Sequence, residues 1–280
     1  MNALISRKNR YLTPKNLFAF FKYTVYLLLT WNLFFWFQED LAASSVTFRG
    51  GVSWRNVVEA FSATIDTMAW LVLVWLFELE TWILSDEKLQ GSYKWILTAL
   101  SAVCYAFIVY SFWGYCVKYG MISNTIPFSI ADVCDLVGSE WTYVSLLDEY
   151  LAIDPATCAT MQGQELLRIA ETEIIGTQEQ LKMATRLAII DILNAATWLI
   201  VVFLMEVEIW LQIREKLTNR LLVTFKYLKG ALYFLLFFSA VYWGFEGDFL
   251  DFWDAFLWLV AFVFIDLNIF KWHEATEEAQ

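Results

Sequence analysis

Repeated runs of about 20 consecutive apolar residues constrain this chain more than any other feature, because a helix of that length crosses roughly 30 Å of hydrocarbon. Six such runs predict six spans: Asn16–Phe37, Ala60–Leu84, Tyr93–Val117, Arg186–Leu211, Leu221–Trp243 and Phe252–Trp272. The 280 residues are 59% hydrophobic and 19% aromatic, more apolar than a soluble domain of this size. Gly and Pro number only 11 and 3, so little interrupts a helix. The alternating ten-residue segments of a transmembrane barrel are missing from the sequence. The expected fold class is an all-α integral membrane protein.

The first span has a start signal, with Thr13 able to cap it and Pro14 suited to the first helical position. Its charged leader and apolar stretch are both long for a signal peptide, so it is read as a span. The basic residues Arg7, Lys8, Arg10 and Lys15 precede it, and Arg214, Lys216 and Arg220 follow the fourth span. Acids collect at the opposite ends, at Glu39, Asp40 and Glu59 and again at Glu246, Asp248, Asp251 and Asp254. Positive charge marks the cytoplasmic side, which predicts a multi-pass protein of the cell (inner or plasma) membrane with both termini inside. The net charge of −11 is thus segregated by side. It offers no basic stripe for nucleic acid.

The connection 118–185, between the third and fourth spans, is far longer than an ordinary loop. It is acidic and predicted to lie outside the cytoplasm. Asp154-Pro155 reads as a cap ahead of a helix over Gln164–Ile175. Thr177 with Gln180 reads as a capping box ahead of Leu181, where the fourth helix would begin. The expectation is therefore a mostly helical insertion at 118–185, between 1–117 on one side and 186–272 on the other, with a short cytoplasmic tail at 273–280. Cys134 and Cys158 share the insertion. They pair as a disulfide if it faces an oxidising compartment, and stay as thiols if it does not.

The even-numbered spans align without gaps. Asp66, Trp70-Leu71-Val72 and Glu78-Leu79-Glu80 match Asn194, Trp198-Leu199-Ile200 and Glu206-Val207-Glu208. Both match Asp254, Trp258-Leu259-Val260 and Asp266-Leu267-Asn268. The odd-numbered spans share an aromatic-Lys-aromatic motif around Lys22, Lys94 and Lys226. Three related up-and-down helical hairpins follow, with the insertion placed in the middle one.

Carboxylates inside a membrane helix are costly and usually face the bundle interior, paired or lining a pathway. Glu78, Glu80, Glu206, Glu208, Asp266 and Asn268, with Lys22, Lys94 and Lys226 at similar depth, form the candidate site. Two readings stand together. In one, the acids line an aqueous route in a small cation or proton transporter or channel. In the other, they pair with the lysines in a non-catalytic structural, interaction or sensing subunit of a larger membrane assembly. The partners implied are the bilayer and, in such an assembly, homo- or hetero-oligomeric contacts. Trp70, Trp198 and Trp258 are read as packing. The single histidine and the missing CxxC exclude the usual haem, zinc and redox motifs, so no metal or cofactor is expected. Without a G-x-S-type, HExxH or phosphate-loop motif, catalysis has little basis.

Overall fold

The computed structural model describes residues 14–79, 92–214 and 216–262. It is mostly helical. Four helices among the described residues are long and apolar enough to cross a membrane. They lie in α1 (Pro14–Thr47), α4 (Ser92–Ser123), α6 (Gln178–Ile213) and α7 (Asn219–Glu246). The second expected span appears as a short α2 (Val57–Ala60) and α3 (Ser62–Glu78). The sixth is represented by a helical stretch at 249–262. Glu80, Asp266, Asn268 and the tail at 273–280 lie outside the described residues.

The helices overrun the expected spans at the end where the insertion begins. At about 1.5 Å rise per residue, a helix of 34 residues such as α1 is about 50 Å long, well beyond the hydrocarbon thickness. Several helix hydroxyls are satisfied locally: Thr24, Thr30, Thr185 and Thr197 each donate to the carbonyl four residues back, at 2.6–2.8 Å.

The described chain divides into two units, one of residues up to Asn32 and from Leu236 on, the other of Leu33–Leu235. In the first, Asn32, which is buried, donates from Nδ2 to Asp254 at 3.0 Å, so one of the repeat acids is bonded across helices. Gly247, at φ +92°, makes the turn between α7 and the 249–262 helix. In the second unit α3 packs on α4, and α4 on α6. Gly114 sets the distance of approach: a Cβ there would stand 2.8 Å from the Val58 carbonyl oxygen and 3.1 Å from Ser62 Cβ. Its lack of a side chain is what lets α4 lie against the α2–α3 junction.

The insertion corrects the expectation of a mostly helical segment. It carries a five-stranded sheet of order β1-β4-β5-β2-β3, from β1 (Thr125–Phe128), β2 (Thr142–Leu146), β3 (Glu149–Ala152), β4 (Leu166–Ile169) and β5 (Ile174–Thr177). Only the β2–β5 pairing is parallel. The helix expected over Gln164–Ile175 is instead the β4–β5 hairpin. An apolar run of that length is ambiguous between helix and strand, and here the Glu171 turn, at φ +63°, breaks it into two four-residue strands. Asp154 does cap a helix, α5 (Pro155–Met161), its side chain accepting from the Thr157 amide at 2.7 Å, but that helix ends at Met161. The Thr177 amide and Gln180 bond reciprocally as a capping box, and α6 starts there at the end of β5.

The sheet domain has its own core of Val133, Leu136, Ile153, Met161, Leu166 and Ile175, closed by a Cys134–Cys158 disulfide. That bridge ties a 3-10 turn (Val133–Leu136) to α5. Gln162 makes a second stitch, accepting from the Val133 amide at 2.9 Å and donating to the Ala131 carbonyl at 3.3 Å.

Candidate functional site

The described residues picked out by the repeat fall in both units. Trp70 and Trp198, both buried, meet with ring centroids 6.3 Å apart. Trp258 lies in the other unit, its ring 6.4 Å from that of Phe262. Glu78 is buried at the end of α3. Glu206 is exposed on α6 and accepts from the Tyr105 hydroxyl of α4 at 3.0 Å. Glu208 forms an ion pair with Lys229 of α7 at 2.9 Å, both side chains largely covered. The lysine matched by the repeat, Lys226, is exposed instead. Lys22, buried in the other unit, has its Nζ 4.9 Å from the Tyr23 ring centroid. The side chain of Lys94 lies outside the described residues.

A denser polar cluster, which the motif search missed, sits where α1, α3 and α4 reach the sheet domain. Lys118 of α4 donates to Asp148 at 2.6 Å, with the two side chains 7% and 14% exposed. Asp148 occupies the tight β2–β3 turn at φ +64°, a conformation that Asp tolerates better than most residues. Asp40 of α1 is 2% exposed and accepts from both the amide (2.9 Å) and the hydroxyl (2.7 Å) of Thr64.

The Asp40–Thr64 contact has a specific cause. The first amides of a helix lack internal acceptors, and Phe61, the cap residue of α3, has no side chain to supply one. Asp40 reaches over from α1 and supplies it, with its negative charge at the favourable end of the helix dipole. Asp40 and Asp148 both attract Lys118, and Asp191 of α6 adds to the field. Asp40, Glu59, Lys118 and Asp148 face one small cavity of about 10 Å³.

Two neighbours register the burial. It raises the Tyr150 phenol well above its ordinary range, with Asp148 pushing the same way, and the Tyr150 hydroxyl has no hydrogen-bond partner among the described residues. The Glu59 carboxyl is also raised by burial, with Lys118 opposing. Chemically, the cluster is one buried cation compensated from several elements. Removing Lys118 leaves Asp148 and Asp40 without a compensating cation in a poorly solvated place.

Two sequence signals point to this cluster in retrospect. Lys118 is a cation at the end of a span where acids otherwise collect. Asp40 lies beyond the apolar part of the first span, on a helix that continues past it.

No protein family, curated protein or solved structure matches this chain.

Proposed function

We propose that this chain is a multi-pass membrane protein whose role is to hold and present its sheet domain, as a non-catalytic interaction or sensing subunit. In this reading the chain spans the membrane six times as three hairpins. Both termini are cytoplasmic and the disulfide-closed domain faces outward from the cell membrane. The four long apolar helices are compatible with membrane placement.

The observation that carries the subunit reading over a transporter is the engagement of the repeat acids. Glu208 is held by Lys229 at 2.9 Å and Glu206 by Tyr105 at 3.0 Å. An acid that fixes helix positions is expected to be bonded in this way, whereas an acid that relays ions needs access to water. The Lys118–Asp148 pair supports the same reading, because it fastens the sheet domain to α4.

The test has two parts. Vesicles reconstituted with the purified chain are expected to carry no proton, Na⁺ or K⁺ flux above empty vesicles. Glu208→Gln and Lys229→Met are expected each to lower thermal stability, and the double variant to be less destabilised than the sum of the two. A cation flux in the wild type that disappears in Glu206→Gln/Glu208→Gln overturns the reading in favour of transport.

A further inference from the structure

On the sheet domain, a cleft of about 500 Å³ opens between the end of α1 and the β4–β5 turn. That is a volume typical of a small-molecule site. Its charged lining is Arg49, Arg168, Glu171 and Glu173. Half of that charge is already used. Arg49 Nη1 lies 2.6 Å from the Glu140 carboxylate and also contacts Glu173, which joins the loop after α1 to the sheet and firms one wall.

What remains is one cation and one anion, neither in an ion pair among the described residues. Arg168 is placed with its guanidinium 5.7 Å from the Trp141 ring centroid, a contact that orients it without neutralising it. Glu171 stands exposed on the opposite charge, in the left-handed region at φ +63°, where Gly or Asn is at ease and Glu is strained. The two residues are only three apart in sequence and line one cleft, yet they do not satisfy each other. A purely anionic ligand meets Arg168 but is repelled by Glu171, and a cation meets the reverse. A ligand with both charges satisfies both. The cleft also borders Thr47–Gly51, where α1 ends beyond its apolar stretch.

We propose that this cleft binds a zwitterionic phosphodiester–ammonium headgroup, the phosphate on Arg168 and the ammonium on Glu171. The source is either a membrane phospholipid or a soluble glycerophosphodiester carrying the same headgroup. The proposal goes beyond the subunit reading, and its test is independent of any flux.

The test uses the full chain purified in detergent and titrated by calorimetry. The probes are soluble glycerophosphoethanolamine, short-chain phosphatidylethanolamine and short-chain phosphatidylglycerol, which carries the phosphate alone. Both ethanolamine probes are expected to bind saturably, and phosphatidylglycerol at least about tenfold more weakly. Tenfold tighter binding of the lipid probe than of the soluble one assigns the lipid as source, and equal binding assigns the soluble compound. Arg168→Gln is expected to lose about tenfold or more for every probe. Glu171→Gln, on an exposed turn with little bearing on folding, is expected to erase the preference for ethanolamine: both ethanolamine probes weaken, and phosphatidylglycerol, no longer repelled, binds more tightly. No saturable binding by the wild type, or an ethanolamine preference that survives Glu171→Gln, overturns the proposal.

Discussion

Removing Lys118 tests the compensated cluster most severely, and the structure predicts an order among three variants. Lys118→Met keeps the length of the side chain but leaves Asp148 and Asp40 facing one cavity with no cation between them. Breaking a buried pair in this way costs about 3–5 kcal/mol. Asp148→Asn is gentler for two reasons: Asn is at home at φ +64°, so the turn survives, and Lys118 keeps the attraction of Asp40 and Asp191. Its cost is that of one charged hydrogen bond, about 1–3 kcal/mol. The double variant leaves Asp40 alone with its two bonds from Thr64, so it should melt above Lys118→Met. For a chain of this length 1 kcal/mol moves the midpoint by about 2–4 °C. Lys118→Met should therefore fall by about 10 °C and Asp148→Asn by about half of that. The assay is scanning fluorimetry of the purified chain in one detergent at one scan rate, since unfolding of such a chain need not be reversible. A Lys118→Met midpoint within 1 °C of wild type, or one above that of Asp148→Asn, refutes the reasoning; both figures rest on the same scaling.

Further outcomes follow from other parts of the molecule. Gly114→Ala adds helix propensity worth about 1 kcal/mol, but its methyl meets a backbone oxygen at 2.8 Å that has no freedom to turn away. A net loss of about 1–2 kcal/mol is expected in a melt. Cys134→Ser removes a bridge across a sequence separation of 24, and the sheet domain should lose about 3 kcal/mol and become the first region cut in limited proteolysis. The Glu59 carboxyl is raised by burial, so the folded state binds its proton more tightly than the unfolded chain does. Stability linked to this group is greatest when it is protonated and falls as pH rises through its folded value. Glu59→Gln should therefore raise the midpoint at pH 7 and have little effect at pH 4, as read from paired melts.

The helices were legible because an apolar run of span length leaves the backbone few ways to satisfy its own polar groups. The start of α6 was legible for a local reason: Thr177 and Gln180 carry both halves of a reciprocal cap within four residues. The sheet was not, because β2 pairs with β5 across the whole of β3, α5 and β4. No local pattern encodes a partner that far away. The polar sites divide in the same way. The repeat singled out Glu208 and, at similar depth, Lys226, whereas the lysine that bonds Glu208 is Lys229. Two lysines three apart lie on nearly the same face of a helix, one turn apart, and the choice between them depends on how far α7 slides along α6. The Lys118 cluster draws single residues from α1, α3, α4 and a β-turn, so it has no spacing to recognise.

The direct passage of β5 into α6 makes that helix a lever. Its 36 residues run without a break from the end of the sheet's central strand, about 54 Å at 1.5 Å per residue. A rod of that length pivoting by roughly 5° at one end moves its far end by about 5 Å, comparable to one helical turn. Any event that tilts the sheet domain, even slightly, therefore arrives at the other end of α6 enlarged rather than dissipated.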